Sequence, residues 1–358
     1  MENSESNTIT FEALKSFCKQ AYEAVGVPEQ EAEIVSDLLV RSDLRGIETH
    51  GVMRLPTYIQ RLEKNYVRKK CEFNIIRQKG ATATISTNGS MGHVVSQKAM
   101  NLAVSLAEIY GVSWVSVKDS SHFGAAGLFS MMATEKDMIG YVCSNSAPLM
   151  APYGGREKIL GNNPLSYAFP SDKYPPVIVD FSCSVVSAGR LHLKRKKGEK
   201  IPLGWAVDSN GLPTDDPYQG TEGGGSLAPV GAHKGYGLAV ANEMLSALLS
   251  GGMWSKNIIN LHRPDPSGIQ GTCHSFMVID PECFIGRESF KKSADDYIAT
   301  IKGSKTARGV AEIFMPGEIE ARTEARRLEE GIPISKPTVD ELVALAKRLN
   351  LSIPEFSH

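Results

Sequence analysis

His50 and Arg54 stand four residues apart in the run Asp43-Leu44-Arg45-Gly46-Ile47-Glu48-Thr49-His50-Gly51-Val52-Met53-Arg54-Leu55-Pro56-Thr57-Tyr58. On a helix, that spacing places an imidazole and a permanently charged guanidinium on one face. Such a pair suits a 2-oxo or 2-hydroxy acid. The guanidinium grips the carboxylate through two parallel hydrogen bonds while the imidazole exchanges a proton with the adjacent oxygen. A solvated helix face with a packed histidine has the same spacing, and spacing alone does not separate the two. A second proton-transfer candidate, His122, lies in Asp119-Ser120-Ser121-His122-Phe123-Gly124-Ala125-Ala126-Gly127, after a predicted strand and before a predicted helix. Small residues at such a junction let backbone amides approach a ligand. The competing reading is a helix-capping turn.

Three further segments offer hydroxyls, amides or a carboxylate at the ends of predicted strands: Cys143-Ser144-Asn145-Ser146-Ala147-Pro148, Gly161-Asn162-Asn163-Pro164-Leu165 and Val179-Asp180-Phe181-Ser182-Cys183-Ser184. Singly they read as turns, and together they could line one cleft at a sheet edge. In the stretch from Leu227 to Leu238, Lys234 sits among glycines at a predicted helix start, where a lysine and free amides can neutralise a phosphate. A helix cap with a solvated lysine explains the same residues. The basic stretch Arg190 to Lys200 reads as a solvated helix end or loop rather than a polyanion site, because the chain as a whole is close to neutral.

Several signatures are missing. No G-x-G-x-x-G occurs, since Gly235-Tyr236-Gly237 continues into Leu238, Ala239 and Val240, and a standard Rossmann half is therefore not expected. The lack of a P-loop, H-E-x-x-H or G-x-S-x-G argues against a nucleotide hydrolase, a zincin or an α/β-hydrolase. Cys273, His274 and Cys283 match no zinc spacing, so no metal is expected.

The elements that must position these groups belong to a chain of 358 residues, long enough for two domains. Its 39 basic and 40 acidic residues give a net charge of −1, which provides no long-range field for nucleic acid or an acidic membrane. A small-molecule ligand is the expectation. The first ten residues lack the basic and apolar regions of a signal peptide, and the apolar stretch from Leu238 to Trp254 is broken by Asn242 and Glu243. Six cysteines without a CxxC pair fit reduced thiols in a cytoplasm.

Periodicity predicts a helix after Thr10 that ends at Gly26, and a second opened by Pro28 and running to about Arg45 and Gly46. The run THGVMRLPTYIQRL resumes a helical pattern interrupted by Gly51 and Pro56. Strands are predicted over 82–87, 112–118, 139–144, 165–169, 176–181, 275–280 and 310–314. Helices are predicted over 94–110, 125–136, 234–249, 318–330 and 338–350, the last with a capping box of Thr338 and Glu341. Helical ends bracket a sheet-containing middle. The expected organisation is a small helical domain built from residues 1–75 plus 319–358, with an α/β domain over 76–318 inserted between them.

Taken in order, the segments DLRGIETHGVMRLPTYIQRL, SSHFGAAG, GNNPLSYAFP, VDFSCS, IPLGWAVDSNGLPTDDP, LAPVGAHKGYGLA and MPGE resemble the malate/L-lactate dehydrogenase family of NAD(P)-dependent oxidoreductases. That family is separate from the Rossmann-type lactate dehydrogenases. It includes ureidoglycolate, sulfolactate and diketogulonate-type enzymes and cyclic imine reductases. The resemblance covers nearly the whole chain, and seven collinear motifs are specific where one is not. It implies an α/β (α+β) non-Rossmann fold: a mixed, largely antiparallel sheet flanked by helices, with a small helical domain from both chain ends. It implies a homodimer that binds NAD, or NADP, and transfers hydride at C2 of a small 2-hydroxy or 2-oxo acid such as malate, lactate, sulfolactate or ureidoglycolate.

Carried over by position, His50 and His122 fall where different members place the proton-transfer group, and both stay open here. Arg54 matches the substrate-carboxylate ligand, with Arg45 and Tyr58 also on the substrate side. Ser146, Asp180, Phe181, Ser182, His233, Lys234, Gly317 and Glu318 fall on cofactor-contact positions. Three residues depart from the family strings: Ser121 stands where Asn is usual, Cys183 where Thr is usual, and Arg190 where Lys is common. Within the same resemblance, a reductase of cyclic imines needs the same carboxylate clamp. A non-catalytic binding protein on this fold is the alternative from a different class.

Overall fold

The computed structural model describes residues 7–261 and 269–357. Residues 1–6, part of the stretch read for a leader, lie outside them. The chain opens with β1 (Asn7–Ile9), α1 (Phe11–Ala24) and α2 (Glu29–Leu44), then two 3-10 turns (Glu48–His50, Val52–Arg54) and α3 (Leu55–Glu63). Thr10 caps α1 by accepting from the Ala13 N–H at 3.3 Å, and Gly26 (φ +89°) follows its end, as the pattern predicts. The middle contains β2 (Asn74–Lys79), β3 (Thr82–Ser90), α4 (Gly92–Tyr110), β4 (Val112–Ser120), α5 (Ala126–Thr134), β5 (Ile139–Ser144), β6 (Leu165–Phe169) and β7 (Val177–Phe181). Next come α6 (Ala188–Lys196) and the short strands β8 (Ala206–Val207), β9 (Pro213–Thr214) and β10 (Ser226–Leu227). After these, α7 (His233–Glu243) runs into a π turn (Met244–Leu248). The chain closes with β11 (Thr272–Ile279), α8 (Arg287–Lys302), α9 (Glu318–Glu330), β12 (Ile332–Ile334) and α10 (Lys336–Leu349).

Seven strands form the main sheet in the order β2-β3-β4-β11-β5-β6-β7. Every adjacent pair is antiparallel except β3 and β4. A parallel pair needs a crossover, and α4 supplies it. Alternation along the strands sends their side chains to two cores. Val142, Phe276 and Val278 face α4 and α5, packing with Met100, Ala103 and Phe129. Tyr141 and Cys143 face the opposite side, packing with Leu191, Leu227 and Ala239. A third core joins the two chain ends: Leu14, Phe17 and Tyr22 of α1 pack with Leu39, Ile59, Leu342 and Ala346, and β1 pairs antiparallel with β12.

Two sequence expectations are corrected here. Residues 310–314 do not form a strand: Val310 and Phe314 stay exposed, and the segment leads to one bond on the sheet edge, from Ile178 N to Pro316 O at 2.9 Å. The last helix starts two residues before Thr338, with Ser335 at its N-cap and its hydroxyl 2.9 Å from Thr338 Oγ1, so Thr338 and Glu341 are not its capping box. Elements not anticipated are the wholly exposed edge strand β2, the helix α8 and the short strands β1, β8, β9, β10 and β12. The basic stretch after Arg190 lies on and beyond α6, where Lys194, Arg195 and Lys200 pair with Glu199, Glu222 and Asp215. None of the described helices is long and apolar enough to cross a membrane.

Candidate active site

The turn that carries His50 and Arg54 is built against one carboxyl group. Asp43, near the end of α2, is 2 % exposed and accepts from the Val52 N–H at 2.6 Å. A Cβ on Gly51 would lie 2.1 Å from Asp43 Oδ1, so only glycine lets the backbone lie flat on that carboxyl. Burial, reinforced by Glu48, pushes the Asp43 acid up to about 8 against the pull of the Val52 N–H and Arg327. Arg327 of α9 clamps the same turn, donating to the Asp43 carbonyl and, at 2.8 Å, to Glu48 Oε1. The helical pattern, expected to be interrupted at Gly51 and Pro56, breaks at Gly51 and resumes as α3, which carries Pro56 in its first turn. Gly51, extended at φ −91° and ψ −153°, separates two 3-10 turns. His50 and Arg54 do not meet by helical spacing. Arg54 instead folds back to donate from Nε to the Thr49 carbonyl at 2.8 Å, and the Thr49 hydroxyl lies 3.0 Å from His50 Nδ1.

His122 comes from the sheet. Parallel neighbours β3 and β4 end side by side, and each feeds a helix. The β4 exit carries Ser120, Ser121 and His122 against the start of α4, where Ser121 Oγ accepts from Gly92 N and donates to Ser90 O, each at 3.0 Å. The serine found in place of asparagine thus has a structural task here. The His122 ring stacks on His50, with centroids 5.7 Å apart and planes 13° off parallel. Tyr58 Oη lies 2.7 Å from His122 Nδ1, the Gly124 N–H meets the same nitrogen at 3.4 Å, and His122 N–H donates to Gln270 Oε1 at 3.0 Å.

Both rings are held neutral. Burial first, and then the Arg54 charge, lower His50 to about 4. Burial and the neighbouring His50, His93, Arg54 and His274 push His122 well down. Tyr58 is driven the other way by burial, with Arg54 and Arg61 opposing the rise. Two uncharged imidazoles, a phenol and a guanidinium in contact can bind an anion and move one proton without creating a like-charged pair.

The cofactor candidates divide among three places. Asp180, Phe181 and Gly317 line a cleft of about 530 Å³ together with Arg45 and Glu320. Asp180 accepts from the Gly127 N–H at 2.9 Å, which ties this cleft to the segment after His122. Surrounding protein raises the Asp180 acid, with Glu320 adding to the rise and Gly127 and Arg45 opposing it, while its open side limits the effect. Gly317 (φ +84°) caps α9, and a Cβ there would be 2.8 Å from Ile178. Glu318 lies beside it, but its carboxylate is engaged by Lys302 at 2.7 Å, Arg322 at 2.6 Å and the Met315 N–H at 3.0 Å. Burial works against the charge, and those three donors outweigh it, holding the group at about 2. Arg45 pairs with Glu324 and faces Asp180, so its contacts differ from those of Arg54 and Tyr58.

His233 and Lys234 are exposed at the start of α7, beside a second cleft of about 700 Å³ that includes Tyr153, Val185 and Ala232. Ala232 has φ +57° and caps α7 with no side-chain bond, and although the Lys234 and Gly235 N–H groups donate back to the Gly231 and Val230 carbonyls, the exposed Lys234 side chain puts a cation at this helix start for an anion. The end of β7 connects the two clefts, since Asp180 and Phe181 line one and Val185 the other. A carboxylate able to accept ribose hydroxyls and a cationic helix start able to take a pyrophosphate suit a nicotinamide dinucleotide. Ser146 occupies a third place, bonded through Oγ to Asn162 Oδ1 at 2.7 Å. Ser182 Oγ sits 3.1 Å from Ser184 Oγ, and Cys183, where threonine is usual, turns inward to the Asn163 carbonyl. Arg190 is exposed on α6.

Sequence reasoning missed Asp43, His93, Gln270 and the Tyr58–His122 bond. Asp43 sat inside a motif already singled out, and the glycine after His50 was the available signal. Nothing local pointed to Gln270 or His93, which reach the site from 148 residues away and from the first turn of α4.

Against known proteins, the family description malate/L-lactate dehydrogenase matches residues 9–343. A malate dehydrogenase of Pyrococcus abyssi is 40% identical over 345 residues, covering 94% of each chain. An L-sulfolactate dehydrogenase of Methanocaldococcus jannaschii is 39% identical over 331 residues, covering 92% of this chain and 94% of that one. The solved sulfolactate dehydrogenase from Methanocaldococcus jannaschii superposes with a TM-score of 0.90 at 37% identity, covering 98% of this chain and 99% of that chain.

Proposed function

The chain belongs to the malate/L-lactate dehydrogenase family, and from that premise we propose that it moves a hydride between a nicotinamide coenzyme and C2 of a small 2-hydroxy or 2-oxo carboxylate. The observation that carries this reading is the face-to-face pair of neutral imidazoles, His50 and His122, beside Arg54. Arg54 holds the substrate carboxylate and so fixes the direction in which C2 presents its oxygen. His122 exchanges the proton of that oxygen, and His50, stacked on it, forms the opposite wall. The nicotinamide ring, when bound, supplies or takes up the hydride. Asp180 and Phe181 hold the ribose side of the coenzyme, with Gly317 and the backbone of Glu318. His233 and Lys234 take its phosphates, and Ser146 and Ser182 contribute hydroxyls.

The coenzyme is NAD in this reading, because Asp180 and Glu320 outweigh Arg45 in their cleft and the acidic balance favours ribose hydroxyls over a 2′-phosphate. The active unit is a homodimer. Leu238, Met244, Leu248, Leu249 and Trp254, on α7 and the segment after it, are exposed and form an apolar surface suited to a second copy. Residues 1–75 and 319–358 act as one helical unit and 76–318 as the coenzyme-binding unit, in a cytoplasmic enzyme.

The test is a panel of purified-protein assays with NAD and NADP, read by nicotinamide absorbance. Malate, lactate, sulfolactate, ureidoglycolate and the corresponding oxo acids are compared with a cyclic imino acid. Turnover of a 2-hydroxy or 2-oxo acid is expected. Turnover of the imine alone, or of nothing, overturns the reading.

A further inference from the structure

The tautomer of His122 is set by its neighbours. A backbone N–H can only donate, and the Gly124 N–H meets His122 Nδ1 at 3.4 Å. Nδ1 is therefore an acceptor, and the one proton of the neutral ring sits on Nε2. It follows that Tyr58, 2.7 Å from the same Nδ1, is oriented with its hydroxyl donating. The chain thus runs phenol O–H to Nδ1, and Nε2–H outward to a ligand.

Behind Tyr58 lies an unusual cation. Arg61, one helical turn on in α3, is 5 % exposed. Its Nη1 donates to the Leu261 carbonyl at 3.1 Å and its guanidinium lies 5.8 Å from the Tyr66 ring centroid. Among the described residues no carboxylate pairs with it, and its Nε has no partner. A buried guanidinium without a counter-charge is costly unless charge develops beside it. Arg61 and Tyr22, whose hydroxyl is also unpartnered, line a cavity of about 20 Å³ with Tyr58, His93 and His122. That volume holds one water molecule.

We propose that Tyr58 is a proton-relaying positioning residue behind His122, and that Arg61 is placed to stabilise the phenolate that the relay creates. The proposal rests on the dehydrogenase reading above and deepens it. In the reducing direction a hydride adds to C2, the Nε2–H bond breaks, and its proton passes to the carbonyl oxygen of the substrate. The Tyr58 O–H bond breaks as Nδ1 takes that proton, so the ring ends neutral and the negative charge rests on Tyr58 Oη. Arg54 and Arg61 face that oxygen with positive charge, and Tyr22 faces it as a neutral phenol. Once the product alcohol has left, Nε2 takes a proton from solvent in the emptied site and Nδ1 returns its own to Tyr58 Oη, so each reduction consumes one solvent proton and restores the starting tautomer that the Gly124 N–H requires. Around the imidazole itself stand His50, His93, His274 and Arg54, so a relay that leaves the ring uncharged avoids adding a cation among them.

Reduction of the best 2-oxo acid is measured for the parent protein, Tyr58→Phe, Arg61→Met and Arg61→Lys, with kcat, KM and the solvent isotope effect on kcat for each. Coenzyme binding by fluorescence serves as the folding control. The relay requires Tyr58→Phe to lower kcat about 10²-fold, with KM near that of the parent and a larger solvent isotope effect. Arg61→Met should lose roughly tenfold in kcat, for removal of a charge close to Oη, and Arg61→Lys should keep most of it. A Tyr58→Phe protein with parental kcat, or one whose loss falls on KM alone, overturns the proposal and returns Tyr58 to the substrate-ligand role. Should Tyr58→Phe fail to fold, equal kcat in the two Arg61 variants overturns it instead. A parent protein inactive on every 2-oxo acid would sink the dehydrogenase reading itself, whereas an active parent with an indifferent Tyr58→Phe sinks only the relay.

Discussion

Gly51→Ala should cripple the enzyme although residue 51 touches no ligand. The new Cβ would lie 2.1 Å from Asp43 Oδ1 and 2.2 Å from both Cγ and Oδ2, where ordinary van der Waals contact begins at 3.4 Å. Asp43 cannot retreat freely, because it is buried at the end of α2 and accepts from Val52 N. The backbone of the double turn must therefore shift by about 1.3 Å, the difference between those separations. His50 precedes that point by one residue and Arg54 follows it by three, so both move with it. A misplacement of about 1 Å costs on the order of 10²-fold in rate. The assay is kcat/KM on the best substrate, with the melting temperature measured in parallel. A loss of about 10²-fold is expected, together with partial recovery in Gly51→Ala/Asp43→Gly, where the collision is removed. A singly substituted enzyme as active as the parent would refute the argument that the Asp43 carboxyl sets this turn.

Arg54→Ala removes up to two charge-assisted hydrogen bonds, worth about 1.5 to 3 kcal/mol each, and should raise KM by about 10²-fold or more while lowering turnover through misalignment. Unchanged kinetics would take Arg54 out of the site. Acid should destabilise the protein through His93 and His274, both buried and both lowered by desolvation to about 3, His93 further by His50 and His274. Their folded values lie below the unfolded value of about 6.5, so the unfolded chain binds protons first and stability falls as pH drops from about 6.5 toward 3. At pH 5 each should cost roughly 2 kcal/mol, with His50 and His122 adding to the loss and Asp43, whose raised folded value gains stability on acidification, offsetting part of it. Melting temperatures at pH 7 and pH 5 check this, and equal values would contradict it. Asp180→Asn should relax the preference for NAD over NADP, seen as a rise in NADP-supported kcat/KM, and an unaltered ratio would place the discrimination elsewhere.

Much of the architecture was legible because it rests on local rules. Thr10 and Gly26 bracket α1 at the predicted places, and β5 and β6 occur where β-branched and aromatic runs put them. What escaped depended on partners far along the chain. Residues 310–314 have the composition of a strand but meet the sheet edge through one bond near Pro316, and β2 lacks alternation because all its residues are exposed. The histidine and arginine of the first motif do come close together, but not through helical spacing. A helix would have joined them directly, whereas the structure uses a glycine break seated on Asp43. Contacts such as Tyr58 with His122, 64 residues apart, leave no trace in spacing, and only the collinear motifs directed attention to both.

In a crystal structure with coenzyme and an unreactive amide analogue of a 2-oxo acid bound together, the analogue's carboxylate is expected on Arg54, its carbonyl oxygen within hydrogen-bond reach of His122 Nε2, and nicotinamide C4 facing the carbon between them. A nicotinamide ring lodged away from His50 and His122, or an analogue held without Arg54, would contradict the dehydrogenase reading.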